Sequence, residues 1–161
     1  MEKATGTATK HFCTKINPAD WDGKEINWKD KLFIKDRVRS FFHFPLNFSA
    51  VVKKNEKAIE SAGVKIAGNL MLSDESSFWH SELLIAVDRD APSLKTIKCS
   101  GAYLTKVFEG PYHNAGQWVK EMQIYVKGRN KEMKKLYFWY TTCPKCAKEY
   151  GKNYVVLFAE I

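Results

Sequence analysis

Hydrophobic and polar positions follow the same order twice along the chain. In the first block, RVRSFFHF predicts a strand that ends at Pro45, and LNFSAVVKKNEKAIESAG has the spacing of an amphipathic helix that stops at Gly63. Asn47 or Ser49 can cap the start of that helix. KIAGNLML and SFWHSELLIAVD then predict two strands joined by the turn-like SDES.

The second block repeats this order. Residues 96–108 predict a long strand, the Gly110-Pro111 pair breaks it, and residues 113–126 predict a helix that stops at Gly128. KKLYFWYTT and NYVVLFAEI predict two further strands, with CPKCAKEYGK as the loop between them. Because proline and glycine recur at matching places in both blocks, the pattern indicates a duplicated structural unit.

Each block is therefore a strand, a helix and two strands. Two such modules side by side predict an α+β fold, in which one antiparallel sheet carries both helices on one face. A cleft is expected at the seam between the modules. We assign residues 1–35 to a polar N-terminal extension and residues 36–161 to the domain, with module one at 36–90 and module two at 95–161.

Composition adds an excess of aromatic residues and of positive charge. Aromatic residues make up 14% of the 161 residues, more than a core of this size needs, so some are expected to line a surface or pocket. The net charge is +8, but the lysines are scattered in pairs, which favours a solvated surface over a nucleic-acid partner. No segment has the length or composition of a membrane span or a signal peptide, so we expect a cytoplasmic protein without a membrane partner.

One segment carries a resemblance to a known family. In GAYLTKVFEGPYHNAGQWVKEM, a strand with small residues leads into Gly110-Pro111-Tyr112 and then into a helix. This segment resembles the best-marked part of the GyrI-like family, also described as the effector-binding domain of AraC-type and MerR-type multidrug regulators. The order of elements over residues 36–161 is similar to the duplicated fold of that family. With no helix-turn-helix predicted ahead of it, the domain resembles a stand-alone member.

The resemblance implies a cleft that takes up aromatic, often cationic, small molecules without a cofactor. Some stand-alone relatives bind drugs, one type inhibits DNA gyrase, and others hydrolyse cyclopropane-bearing natural products that alkylate DNA. We expect first a hydrolase that detoxifies cyclopropanoid compounds or related xenobiotics. The alternative is a non-catalytic module that binds or sequesters drugs, or that acts on a protein partner such as gyrase.

The chain departs from the family pattern at Phe138. Many members carry a Tyr-Glu pair on the penultimate strand, and the glutamate neutralises a cationic ligand. Here that strand is LYFWYTTCP, and Phe138 takes the place of the glutamate. An aromatic side chain stacks without supplying charge, so the departure favours a flat, neutral aromatic ligand.

Three residues are candidates for catalysis: His80, Glu82 and Tyr140. His80 and Glu82 share one face of a predicted strand and correspond to an Arg and an acidic residue in many relatives. Glu82 is expected to activate water, alone or with His80, while Tyr140 or Tyr112 polarises a ligand carbonyl. The alternative interpretation of His80 and Glu82 is the solvated polar face of a sheet.

Aromatic residues supply the candidate ligand platform. Strand alternation places Phe138 with Tyr140 on one face and Tyr137 with Trp139 on the other, and core packing on both faces remains the alternative. The full set of predicted ligand-binding residues is Phe42, Phe44, Phe78, Tyr112, Trp118, Phe138 and Trp139.

The CPKC motif, Cys143 to Cys146, could take part in metal or redox chemistry. Two cysteines at this spacing form half of a tetrahedral zinc site, and no second cysteine pair exists in the sequence. Since the motif is predicted to lie in a loop, a structural turn with reduced thiols is favoured, and no metal site is assigned. Metal binding and redox activity stay open as alternatives.

Overall fold

The computed structural model describes residues 13–42, 44–142 and 144–161 of the chain. Within these residues it contains seven strands, three α-helices and two short 3₁₀ turns, at Pro18–Asp20 and Tyr112–Asn114. In chain order the elements are β1 Lys24–Phe41, β2 Phe44–Pro45, α1 Phe48–Ser61, β3 Ile66–Asp74, β4 His80–Val87, β5 Thr96–Glu109, α2 Ala115–Gly128, β6 Lys135–Tyr140, α3 Pro144–Tyr150 and β7 Tyr154–Glu160.

The strands form one antiparallel sheet with the order β2-β1-β4-β3-β6-β7-β5. The predicted α+β class with a single antiparallel sheet is therefore confirmed. The sheet closes into a six-stranded barrel, which the prediction of one antiparallel sheet did not include, because β1 also pairs with β5. β1 is 18 residues long, so it can pair with β5 from Lys24 to Ile34 and with β4 from Phe33 to Arg39.

One cluster of side chains fills the barrel interior. All six barrel strands contribute inward-facing residues to it. It contains Phe33, Leu72, Leu84, Tyr103, Trp139 and Phe158, all at most 4% exposed. Trp21 and Trp28 pack against this cluster, and the Trp21 ring centroid lies 5.0 Å from that of Trp139. Residues 21–35, which the sequence analysis assigned to an extension, thus contribute to the core.

The two predicted helices, α1 and α2, pack on the outer face of the barrel, as the two-module pattern predicts. Val51, Val52 and Ile59 of α1 contact the outward residues of β3 and β4. Trp118, Met122 and Val126 of α2 cover β5, β6 and β7 in the same way. The period of three or four residues between these apolar positions places them on a single helix face.

The ends of α1 match the sequence prediction in part. Gly63 has a φ of +67°, a left-handed conformation that glycine adopts without steric cost, and it follows the end of the helix as predicted. Asn47 holds the N-cap position but makes no capping hydrogen bond. Its Oδ1 instead accepts from the backbone N–H of Arg39 at 2.7 Å, which ties the start of α1 to the end of β1.

The prediction of a loop for CPKCAKEYGK is wrong, because Pro144–Tyr150 form the short helix α3. Proline is favoured in the first helical turn, and alanine, lysine and glutamate propagate a helix well. Gly151, with a φ of +73°, follows its end. None of the described helices is long and apolar enough to cross a lipid bilayer.

Candidate functional site

A cavity of about 1980 Å³ opens on the outer side of the barrel between the two modules. It lies beside the seam where β3 and β6 pair through Ser73 and Phe138. The α1 side contributes Phe48, Val52 and Ile59, and the seam strands contribute Ser73 and Tyr140. Glu75, Pro111, Tyr112 and Asn153 complete this part of the wall.

A carboxylate flanked by two tyrosines lies in this cavity. The Tyr140 hydroxyl donates to Glu75 Oε1 at 2.6 Å, and the Tyr112 hydroxyl donates to Glu75 Oε2 at 3.0 Å. The two tyrosine rings are 5.4 Å apart between centroids. Each carboxylate oxygen therefore has its own hydroxyl donor, an arrangement suited to an ionised carboxylate.

Three separate elements bring these side chains together. Glu75 directly follows the end of β3, Tyr140 is the last residue of β6, and Tyr112 opens the 3₁₀ turn ahead of α2. Gly110 has a φ of +134°, and its N–H and C=O are both bound by Asn153, through Asn153 O at 3.1 Å and Nδ2 at 2.8 Å. This double attachment holds the turn that carries Tyr112 against the segment before β7.

The environment keeps both tyrosines protonated at neutral pH. Burial first, and then the charge of Glu75, raise the pKa of Tyr112 to about 12, because a phenolate beside a carboxylate is unfavourable. The same two causes, again with burial first, raise the pKa of Tyr140 far above its usual value. Both hydroxyls are therefore hydrogen-bond donors throughout the physiological range.

Three of the predicted ligand-binding residues lie in the core. Phe138 is 6% exposed and packs with α2, although its ring stacks on that of Tyr140 at 5.8 Å. Trp118 is 5% exposed and stacks on Phe108. Trp139 is 2% exposed inside the barrel. Of these residues none lines the cavity.

His80 and Glu82 lie on the barrel-interior side of β4, away from the cavity. Ser81, between them, lines the cavity. Glu82 pairs with Lys35 at 3.0 Å and approaches Lys135 to 4.0 Å. The Nδ1 atom of His80 lies 3.3 Å from the hydroxyl of Ser77. The structure thus brings Tyr112 and Tyr140 together but does not place His80 or Glu82 beside them.

Phe42 and Phe78, which are also predicted to bind the ligand, lie near the cavity rim. Phe42 is 64% exposed and Phe78 is 54% exposed, and neither lines the cavity. Their neighbours Ser40 and Ser77 do line it. Phe44 belongs to β2, but its side chain is outside the described residues.

Glu75 is not among the site residues predicted from the sequence. The sequence predicts a cleft that lacks the family glutamate, because Phe138 stands at that place. The structure supplies a carboxylate from the end of a neighbouring strand instead. The available signal was an acidic residue in the turn-like SDES segment, directly after a strand at the predicted seam.

The cysteines show no metal centre in the described part of the chain. Cys143 is outside the described residues, and Cys146 is 4% exposed. No group of three or more His, Cys, Asp or Glu side chains that could hold a metal ion occurs among the described residues. No disulfide joins Cys13, Cys99 or Cys146.

The barrel with α1 and α2 on its outer face, and with a cavity and a carboxylate at its seam, defines an α+β domain built from two modules. The sequence matches the family described as Bacterial hydrolase over residues 3–161. The chain belongs to this family.

Solved structures show the same fold at low sequence identity. The C-terminal domain of EcmrR matches with a TM-score of 0.66 and 8% identity, over 87% of this chain and 96% of that one. An uncharacterized conserved protein from Listeria innocua matches with a TM-score of 0.60 and 13% identity, over 86% of this chain and 91% of that one. A hydrolase from Listeria innocua covers the same shares at a TM-score of 0.56 and 13% identity.

These similarities are consistent with the GyrI-like fold expected from the sequence. At these identities they concern the fold alone. A search of curated proteins finds no match.

Proposed function

We propose that this protein hydrolyses a planar aromatic compound by adding water to a strained, carbonyl-conjugated ring, such as a cyclopropane. The observation that carries the proposal is the Glu75 carboxylate, held by the hydroxyls of Tyr112 and Tyr140 inside the cavity. A carboxylate with fixed orientation is a suitable general base for a water molecule. Membership of the Bacterial hydrolase family supports this class of reaction.

In the proposed reaction, Glu75 removes a proton from a water molecule while the water oxygen forms a bond to a carbon of the strained ring. The strained carbon–carbon bond breaks, and its electron pair moves into the conjugated carbonyl to give an enolate. Glu75 then gives that proton to the enolate and returns to its carboxylate form, so the product is the substrate plus one water. Stabilising the developing oxyanion requires a hydrogen-bond donor at the carbonyl oxygen.

The two tyrosines are suited to different parts of this reaction. Tyr140 has the shorter bond to Glu75, at 2.6 Å, and its hydroxyl is the more deeply buried. Tyr140 therefore holds the carboxylate in place. Tyr112 is 42% exposed and bonds Glu75 at 3.0 Å, so its hydroxyl is the one that can turn to a substrate carbonyl.

The cavity size and walls support a large, planar and predominantly apolar substrate. Its volume of about 1980 Å³ exceeds that of sites for most drug-sized molecules. The rings of Tyr112 and Tyr140 border the carboxylate, so a planar substrate can lie against an aromatic surface while it reaches Glu75. The carboxylate also makes a cationic group on the substrate acceptable.

Mass spectrometry of a cyclopropanoid compound incubated with the protein tests the proposal. We expect a product heavier by one water, and a loss of turnover of at least a hundredfold in Glu75→Gln. Glu132→Gln makes the same change at an exposed position between α2 and β6 and is expected to retain full activity. If Glu82→Gln abolishes turnover while Glu75→Gln does not, the base assigned from the sequence is right and Glu75 is not the base.

The second candidate is a binding module without catalysis. The same carboxylate and tyrosines can hold a ligand without activating water, and the C-terminal domain of EcmrR shows that this fold is not confined to proteins named as hydrolases. In that case the compound is recovered unchanged, while calorimetry shows binding that Glu75→Gln weakens. If the protein instead inhibits a protein partner such as gyrase, we expect that inhibition of the partner not to depend on Glu75.

A further inference from the structure

Large apolar side chains are exposed together at one end of the molecule. Phe41, Phe42, Leu46, Phe78 and Trp79 are between 53% and 64% exposed, and we call this set the aromatic tip. The other exposed large apolar residues in the described part of the chain are Tyr112, which is 42% exposed in the cavity, and Ile124, which is 72% exposed on α2. Apolar exposure concentrated at one place marks an interaction surface more often than scattered single residues do.

The four rings of the aromatic tip form one continuous cluster, built from the loops at the end of β1 and ahead of β4. The ring centroids of Phe41 and Phe42 are 4.7 Å apart, and Trp79 lies 5.9 Å from Phe41 and 5.7 Å from Phe42. Phe78 extends the surface at 6.1 Å from Phe42. The two loops are joined by the hydrogen bond from Ser40 N to Trp79 O, at 2.8 Å.

The aromatic tip projects beyond the barrel. β5 pairs with β1 only as far as Ile34, and β3 pairs with β4 only as far as Glu82. Past Glu82, β1 and β4 still pair with each other, Val38 with Ser81 and Arg39 with His80. We call residues 37–46 and 76–81 the arm, and the aromatic tip lies at its end. A projecting apolar surface of this kind does not need a complementary pocket when its partner is a lipid bilayer.

The charge of the arm is positive. In residues 37–46 and 76–81, Arg37 and Arg39 are the only Lys, Arg, Asp or Glu side chains. Both arginines are exposed, and neither forms an ion pair with another described residue. Anionic lipid headgroups are complementary to such a surface, and aromatic side chains favour the boundary between headgroups and acyl chains.

We propose that the aromatic tip inserts into the interface of membranes that contain anionic lipids. This revises the expectation of a protein without a membrane partner, and it does not depend on the hydrolase proposal. Ser40, Pro45 and Ser77 belong both to the arm and to the cavity rim. Docking through the tip therefore brings the mouth of the cavity to the bilayer surface, where apolar aromatic compounds concentrate.

Vesicle co-sedimentation tests the membrane proposal with the full-length protein. We expect binding to vesicles of phosphatidylglycerol and phosphatidylcholine, weaker binding to phosphatidylcholine alone, and partial release by salt. The double variant Phe42→Ser, Trp79→Ser is expected to lose at least tenfold in partitioning. Ile124→Ser removes an apolar residue that is 72% exposed on α2 and is expected to bind as the unchanged protein does.

Three results would overturn the membrane proposal. The first is no binding of the unchanged protein to the anionic vesicles. The second is equal binding by the double variant, which would assign the attraction to lysines elsewhere. The third is a dimer in light scattering that the double variant converts to a monomer, which would assign the aromatic tip to contact between two copies of the chain. Because every substituted residue is exposed, thermal unfolding is expected to show that all variants fold.

Discussion

At the scale of single residues, Tyr140 and Tyr125 place the same hydroxyl group in two different environments. Tyr140 donates to Glu75, whereas the Tyr125 hydroxyl is buried and has no hydrogen-bond partner in the described part of the chain. A hydrogen bond to a charged group contributes more to stability than one between neutral groups, and an unsatisfied buried hydroxyl is destabilising. The two positions thus form a matched pair for a tyrosine-to-phenylalanine change.

We expect Tyr140→Phe to lower the free energy of unfolding by about 1–3 kcal/mol, since Glu75 loses a donor. Tyr125→Phe is expected to leave that free energy unchanged or to raise it, because Lys106 and Arg129 can still contact the remaining ring. Urea denaturation at neutral pH measures both. Equal losses in the two variants would mean that the bond to Glu75 adds nothing to stability.

The candidate site could be predicted from the sequence only in part. Strand alternation correctly separates Phe138 and Tyr140 from Tyr137 and Trp139, because side chains on a strand point alternately to its two faces. Which face is open depends on how the helices cover the barrel, and that is a property of the tertiary fold. Glu75 lies just beyond a strand end, so its contact with Tyr140, 65 positions along the chain, has no local signature.

At the scale of elements, the contact between α1 and β1 depends on Asn55. This side chain is 6% exposed on a helix face that is otherwise apolar, and its Nδ2 donates to Asp36 Oδ2 and to Val51 O, both at 2.8 Å. Lys54 also pairs with Asp36. Burial alone would raise the pKa of Asp36, but the hydrogen bonds from Lys54, Asn55 and the Arg37 N–H lower it overall.

We expect Asn55→Ala to lower the free energy of unfolding by about 1–3 kcal/mol at neutral pH, because it removes a buried hydrogen bond and leaves a gap under α1. A carboxyl whose pKa is lowered by folding stabilises the folded state above its unfolded pKa, and that stabilisation is lost as the pH falls through the folded value. The deficit of Asn55→Ala should therefore shrink in acid.

Lys57→Ala is the control on the same helix, since Lys57 is exposed, and it should change stability by no more than about 0.5 kcal/mol. Chemical denaturation of the three chains between neutral pH and pH 3 measures these differences. A deficit that stays constant across this range would show that Asn55 acts through packing alone and not through Asp36.

Predictions of elements succeeded where the pattern is local. α1, α2 and the six predicted strands have the expected type, because their periodicity and their stop signals lie within the segment itself. α3 was missed because the short segment Pro144–Tyr150 lacks an apolar stripe. The length of β1 was also missed, since its first half is polar enough to suggest a loop until its partner β5 is known.

At the scale of the whole molecule, closure of the barrel makes residues 24–35 part of the fold. Lys24 to Ile34 pair with β5, and Trp28 contacts Tyr103 and Phe158 in the barrel interior. Two modules could be recognised as a repeat from the sequence, but a repeat alone does not say whether their outer edges meet. The two edges pair because β1 is long enough to reach β5, and no strand of the second module is as long as β1.

We expect a chain that starts at residue 36 to lose cooperative unfolding, because it lacks the strand that closes the barrel and exposes the edge of β5 to solvent. It also lacks Phe33 and Trp28, whose rings pack in the interior. A chain that starts at residue 13 keeps all of these contacts and is the control. Calorimetry and light scattering compare the two. If the chain from residue 36 unfolds in one transition with the heat of the longer chain, the domain boundary assigned from the sequence is right and barrel closure is dispensable.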